Sequence, residues 1–274
     1  MVKKIIHVSD IHIRNFKRLS EYSEQLNLFI EKVKEETNDY QYDEIRIVIS
    51  GDICHQKTNI SPELMVFASG FIRELEKIGK VIVIAGNHDL LVNNTTRTDA
   101  ITAIFDTAQF ENAYFLDQML EYQSGYVVDE NVTWVVYSIY DNFRKPTLDD
   151  VKYENPNNTV IGLFHGVIVG STLYNGTVMD EGCDGSLFND CDIVMAGDIH
   201  KRQEFKRGDT LIVYPGSLIQ QTFGETITQH GFCSWDLENK THKFIDIDND
   251  YGMYKIEIKS IYDLDSDDET LVNY

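Results

Sequence analysis

Val81-Ile82-Val83-Ile84-Ala85-Gly86-Asn87-His88-Asp89 changes character in its middle: an apolar run passes straight into a glycine, an amide, an imidazole and a carboxylate. The apolar half is short and rich in β-branched residues, the pattern of a strand buried on both faces. Two earlier stretches make the same transition. Ile5–Val8 leads to Asp10-Ile11-His12, and Ile45–Ile49 leads to Gly51-Asp52. Between the first two runs Leu19, Tyr22, Leu26, Phe29 and Val33 recur at three- and four-residue steps, and between the next two Leu64, Phe67, Phe71, Leu75 and Ile78 do so. Each set predicts an amphipathic helix. Ser61-Pro62 offers the second helix an N-cap and a first-turn proline, and Gly79 a stop. This is a βαβαβ unit with parallel strands and a polar cluster after each one.

The second half is richer in strand. Candidates are Tyr126–Val128, Thr133–Tyr137, Val160–Phe164, Ile193–Ala196, Leu211–Tyr214, Phe232–Asp236 and Phe244–Ile247. Lys206-Arg207-Gly208-Asp209 reads as a hairpin turn, and Asn155-Pro156-Asn157-Asn158 as a loop before a buried strand. Two more clusters follow strand candidates here, His165-Gly166 and Gly197-Asp198-Ile199-His200. The pattern predicts an α/β protein with two mixed sheets packed together and helices outside. One domain is expected over residues 1–250. Beyond Asp250 the sequence changes, so that 251–274, from Tyr254–Ile258 onward, is expected to open a second, truncated module or tail.

Composition narrows the class. At 274 residues with 42% hydrophobic and 11% aromatic content, the chain is an ordinary globular one with enough length for a large core. No apolar run is long enough to cross a bilayer, and the first one is too short for a signal peptide, so a cytoplasmic location without membrane contact is expected. Cys54, Cys183, Cys191 and Cys233 are widely spaced and form no CxxC pair, which argues against a disulfide framework or a zinc ribbon. Against these stands the charge. Twenty-four basic and 45 acidic residues give a net of −21, which repels polyanions at long range. Phosphodiester chemistry on this chain therefore requires a local positive site.

The five clusters can supply one. Functional sites of open α/β sheets lie beyond the carboxyl ends of the strands, where these clusters all fall. Side chains two apart in an extended segment point the same way, so Asp10 and His12, or Asp198 and His200, could grip one cation. The donor set mixes carboxylates, imidazoles and an amide without thiolate, which suits manganese, iron, zinc or magnesium. Each cluster alone has a plainer reading: an Asp after a strand is commonly a turn former or N-cap, and a lone His is more often packed than ligating. Five together, all at strand ends, favour metal.

In this order the clusters resemble the calcineurin-like metallophosphoesterase pattern: Asp-x-His, Gly-Asp, Gly-Asn-His-Asp, a strand-end His and Gly-x-x-His. The resemblance implies a four-layer α-β-β-α sandwich. It implies that Asp10, His12 and His200 hold one divalent ion, that Asn87, His165 and Asp198 hold another, and that Asp52 bridges them. His88 would face the substrate, stabilising phosphoryl charge or protonating the leaving oxygen. The family more often has His where this chain has Asp198; the added carboxylate is expected to favour manganese or magnesium over zinc.

Within that family the chain resembles the SbcD group of DNA-repair nucleases, including phage and viral relatives. His55, three residues after Asp52, is the first such feature, and in that group it is associated with placing the scissile phosphate. Tyr214-Pro215-Gly216-Ser217 leading to Phe223-Gly224-Glu225, and His230-Gly231-Phe232 through Trp235-Asp236, are the others. The resemblance implies a manganese-dependent DNA exo/endonuclease in repair or recombination, an SbcC-type ATPase partner and a homodimer formed through the first helices. Arg14, Lys201 and Arg202, with Lys17 and Arg18 nearby, are candidate backbone contacts for DNA. The chain carries little of the capping domain such nucleases have, which leaves duplex selection and the ATPase partnership open. The alternatives are a small-substrate phosphodiesterase or phosphatase, which the acidic charge suits, and a scaffold that kept the fold without catalysis.

Overall fold

The expected βαβαβ unit forms. In the computed structural model, which describes residues 1–57 and 59–254, β1 (Lys4–Val8), α1 (Leu19–Thr37), β2 (Ile45–Ser50), α2 (Pro62–Leu75) and β3 (Lys80–Ile84) follow in order, and the three strands pair in parallel. Every residue of β1 and β2 is buried. Alternation accounts for this: Ile45, Ile47 and Ile49 pack under the helices, while Val48 packs between the sheets. Tyr22, Leu26, Phe29 and Val33 form the buried stripe of α1, and Leu64, Phe71 and Leu75 that of α2. Ser61 Oγ accepts the Leu64 N–H at 3.2 Å, capping α2 one residue before Pro62. α2 stops at Leu75, and a turn brings the chain to Gly79.

α3 (Ala100–Ala108), β4 (Ala113–Phe115) and α4 (Leu116–Met119) come next and add the last parallel strand, beside β3. The second sheet is built from β5 (Gly125–Asp129), β6 (Val132–Tyr137), β7 (Thr159–His165), β8 (Ile193–Gly197), β9 (Gln203–Arg207) and β10 (Thr210–Tyr214), with α5 (Asp149–Glu154) between β6 and β7. The expected hairpin joins β9 to β10. β11 (Gly231–Asp236) and β12 (Thr241–Asp246) then return to the first sheet, where β11 lies antiparallel to β1.

The orders are β12-β11-β1-β2-β3-β4 and β5-β6-β7-β8-β10-β9, so both sheets are mixed, as expected. Ile5, Ile82, Trp134, Ile161, Met195 and Trp235 fill the layer between them. The outer face of the first sheet is covered by α1, α2 and α3. That of the second has a thinner cover, in which Val151 of α5, Phe188 and Ile168 pack on Tyr137, Phe164 and Tyr214. No helix among the described residues is long and apolar enough to cross a membrane. The second module expected over 251–274 falls, from residue 255 on, outside the described residues.

Candidate metal centre

All five polar clusters meet at the carboxyl ends of β1, β2, β3, β7 and β8. The clusters after β1, β2 and β8 are not delivered by strand alternation. Asp10 and His12 lie past the end of β1 with φ of 53° and 52°, Asp52 follows β2 with φ 56°, and Asp198 follows β8 with φ 91°. Non-glycine residues avoid this left-handed region. Here it folds the chain back at these three strand ends, so that the polar side chains turn into the crevice instead of continuing along the sheet. The shared direction of Asp10 and His12 thus comes from two sharp bends, which correct the extended segment expected there.

The result is a chain of facing donor atoms. His12 Nε2 is 3.1 Å from His200 Nε2 and 3.9 Å from Asp10 Oδ1, and His200 Nε2 is 3.8 Å from the same oxygen. On the other side Asn87 Nδ2 donates to Asp198 Oδ1 at 2.6 Å, and His165 Nε2 is 3.9 Å from that oxygen. Asp52 stands between the groups. Its Oδ2 is 3.4 Å from His12 Nε2 and its Oδ1 is 3.4 Å from His165 Nε2. The structure therefore brings the seven candidate residues together, with the Asp52 carboxylate facing an imidazole on each side.

Two imidazoles are oriented from behind. His165 Nδ1 lies 2.7 Å from the Ser50 carbonyl, an acceptor only, so Nδ1 carries a hydrogen and Nε2 is the nitrogen aimed at the cluster, where it can ligate once its own proton is displaced. That Nε2 is buried and has no hydrogen-bond partner. His200 Nδ1 is 2.9 Å from Glu225 Oε1, which fixes its hydrogen on Nδ1 in the same way. A buried, unpartnered imidazole nitrogen beside three carboxylates is the donor set a divalent cation fills. The residues fit two such ions.

The protonation equilibria express the same crowding. Burial is the largest influence on Asp10 and raises its pKa. Burial also works against ionisation of Asp52, but the charge of His165 and the neighbouring donors outweigh it and hold the carboxyl below its ordinary range. Burial opposes a charged His200, yet the Glu225 hydrogen bond and the Asp10 charge raise it to about 9. Burial, with Arg14 next, lowers His55 to about 4.

His88 and His55 sit over this cluster with rings stacked, centroids 5.0 Å apart. The His88 N–H donates to Asp52 Oδ1 at 2.8 Å, and its Nδ1 lies 2.9 Å from the His55 carbonyl. Nδ1 must then donate, so Nε2 can act as a donor only in the imidazolium form. Arg14 Nη1 is 2.9 Å from His55 Nε2, and Arg14 Nη2 donates to Gln221 Oε1 at 3.3 Å, which places Arg14 at the site. Lys201 and Arg202 are engaged elsewhere. Lys201 Nζ reaches the Leu173 carbonyl at 3.5 Å, and Arg202 pairs with Asp246 and lies over the Phe244 ring.

Two further residues, Asp89 and Glu225, brace the cluster from behind. Asp89 is buried and accepts the backbone N–H groups of Asp52, Cys54 and Gly86 at 2.8, 2.9 and 2.9 Å, tying the Asp52 loop to the Asn87 loop. Glu225 stands behind His200. For Asp89 the signal is its place in the cluster itself; for Glu225 only a short loop motif points to it.

The sequence profile of the calcineurin-like phosphoesterase superfamily domain matches residues 4–240. An uncharacterized protein of Acanthamoeba polyphaga mimivirus is 35% identical over 270 residues, covering 94% of this chain and 19% of the viral protein. The chain thus spans about a fifth of that relative's length. The D component of the SbcCD nuclease from Staphylococcus saprophyticus is 28% identical over 273 residues, covering 88% of this chain and 68% of that protein.

Proposed function

The chain belongs to the calcineurin-like phosphoesterase superfamily, and we propose that it is an SbcD-type, manganese-dependent DNA nuclease that hydrolyses phosphodiester bonds with two metal ions. The observation that carries the two-metal reading is Asp52, whose two oxygens each face the imidazole of a different ligand group at 3.4 Å. The nuclease reading is supported by the similarity to the staphylococcal SbcCD component and by His55, which stacks on His88 at the mouth of the cluster. A role in repair or recombination, an SbcC-type ATPase partner, a homodimer and action in the cytoplasm of a bacterial or virus-infected cell extend the same likeness and belong to this proposal.

Two divalent ions held there would supply water of lowered pKa and offset the charge of the phosphate oxygens. The chain's own residues do the rest. Asp10, His12 and His200 would hold one ion, Asn87, His165 and Asp198 the other, and Asp52 both. The Ser50 carbonyl and Glu225 keep two of the imidazoles aimed. His88, anchored through Nδ1, presents Nε2 to the substrate, where as imidazolium it stabilises phosphoryl charge or passes a proton to the leaving oxygen. Arg14 and His55 lie where a non-bridging phosphate oxygen would be received.

The test is direct. Labelled single- and double-stranded DNA should be cut in manganese, with a generic phosphodiester as a slower substrate and a phosphomonoester poorer still. Activity in zinc should fall below that in manganese because Asp198 adds a third carboxylate to the site. The net charge of −21 favours a second reading, a small-substrate phosphodiesterase. Turnover of the small diester with intact DNA would select it.

A further inference from the structure

We propose that Glu225 is a positioning residue that fixes His200 for its metal ion and sets that ion's affinity; this inference rests on the two-metal reading above. Glu225 lies in the loop between β10 and β11, and its side chain is only 5% exposed. One oxygen, Oε1, takes His200 Nδ1 at 2.9 Å and the Thr222 hydroxyl at 3.2 Å. The other, Oε2, takes the Gln221 backbone N–H at 2.9 Å and the Ser217 hydroxyl at 3.3 Å. Four donors converge on one buried carboxylate, and one of them is the imidazole of a candidate ligand.

The electrostatics match the geometry. Four hydrogen-bond donors around the Glu225 carboxylate, the His200 imidazole among them, favour its ionised form. An anion behind an imidazole keeps the hydrogen on Nδ1, directs the Nε2 lone pair forward and makes that nitrogen a stronger donor to metal. His200 is also the most exposed of the three histidine ligands, its side chain being 26% exposed against 3% for His12 and 1% for His165. His165 is held by its packing and a backbone carbonyl. His200 has less packing to hold it and depends on Glu225.

The loop carries the constraint further. Gln221, whose N–H is bound by Glu225, receives Arg14 on its Oε1, and its Nε2 donates to the Ile11 carbonyl at 3.3 Å, between Asp10 and His12. A single carboxylate therefore ties one ligand to the loop that also braces the other two and the arginine beside His55.

The experiment is manganese binding to the intact chain, followed by isothermal calorimetry and manganese electron paramagnetic resonance with the metal alone as probe. Wild type should bind two ions. Glu225→Ala should weaken one of them by roughly 10- to 100-fold and leave the other within about threefold. Glu225→Gln keeps the shape and an acceptor but not the charge, so its loss at the same ion should be smaller. In a His200→Ala background the Glu225→Ala change should cost no further affinity, since both act through one ligand. Thermal unfolding without metal separates this from simple loop support. Unchanged affinity in a folded Glu225→Ala variant overturns the proposal, as does equal weakening of both ions in step with a lower melting temperature. If wild type binds no manganese, the two-metal reading itself fails; if it binds two and the Glu225 variants match it, only the present inference does.

Discussion

Gly86→Ala should cripple the site without replacing any candidate ligand. Gly86 opens the Gly-Asn-His-Asp cluster, and its Cα packs against the Asp52 loop. A methyl group there would lie 2.1 Å from Asp52 Oδ1 and 2.4 Å from the Asp52 backbone nitrogen, short of ordinary van der Waals contact by 1 Å or more. The Asp52 backbone nitrogen clashes as well as its carboxylate, so turning the side chain alone does not relieve it. Asp52 must shift by about 1 Å, and a displacement of that size in a catalytic constellation costs on the order of 100-fold in rate. Overpacking should add roughly 1–3 kcal/mol of destabilisation. Gly70→Ala is the control, because a Cβ there meets nothing within 4 Å. In the interior of α2 it should stabilise by about 0.5–1 kcal/mol without touching the site. The assay is kcat/KM on a generic phosphodiester in manganese, with metal affinity and urea unfolding on the same samples. If Gly86→Ala retains kcat/KM within threefold of wild type and binds both ions normally, the contact between the two loops does not set the geometry of Asp52, and the reasoning fails.

Four further outcomes follow from the same structure. His88→Ala should lower turnover by about 100- to 1,000-fold while manganese binding survives, because its hydrogen bond to Asp52 is made by the backbone N–H, which alanine keeps, and its ring meets His12 only edge-on; loss of metal in this variant would instead make it a ligand. Asp129→Ala should cost roughly 3–4 kcal/mol in urea unfolding, since Arg46 is fully buried and pairs with Asp129 through two bonds of 2.6 and 2.7 Å. A cost under about 1 kcal/mol would mean the guanidinium finds water or closes on Glu130, 3.9 Å away. Asp117 is pushed up to about 6 chiefly by burial, against the opposing bonds from Ser138 and the Ala85 N–H. Because its folded pKa lies above the unfolded value, its contribution is complete below about pH 4 and fades as pH rises toward 6, by roughly 2–3 kcal/mol; Asp117→Asn should flatten that slope in urea titrations, and an unchanged slope would assign it to other groups. DNA binding should show a shallow salt dependence, a log–log slope of about −1 to −2, because Arg14 is at the site whereas Arg202 is paired with Asp246; a slope near −6 would require a basic surface outside this crevice.

The first half of the fold is legible because its signals are local and long. Two helices of 14 and 19 residues carry a buried stripe over several turns, and three apolar runs end in abrupt polar clusters. α3 and β4 are hidden because nine residues and three residues are too few to establish a period. β9 also gives no signal of its own, as its Gln-Glu-Phe-Lys-Arg sequence is mostly polar on an edge; it is held in place by the hairpin turn that the sequence does show. The candidate ligands can be picked out because the residue types are unusual at strand ends. Their backbone conformations cannot, since a left-handed φ at Asp10, His12, Asp52 and Asp198 is a consequence of the packed sheets around them. Glu225 illustrates the remaining limit: its partner His200 is 25 residues away, across the β9–β10 hairpin, and the loop after β10 has no periodicity to place it.

Those four backbone positions tie the chemistry to the stability of the fold. Each non-glycine residue held in the left-handed region costs on the order of 1 kcal/mol or more, and such conformations persist only where surrounding structure over-determines them. Here the restraint comes from β1, β2 and β8, whose residues are all buried, and from Asp89, which gathers three backbone N–H groups behind the bend at Asp52. The same bends bring Asp10, Asp52 and Asp198 together, and like charges at this range repel strongly where water is scarce. Strain and repulsion both act against the cluster, and divalent cations would relieve the second. Metal and fold are then thermodynamically linked: ions that bind the folded chain alone stabilise it, by about 2.7 kcal/mol at a hundredfold excess over Kd. The rigid sheets hold the bends, and the ions offset the charge the bends concentrate.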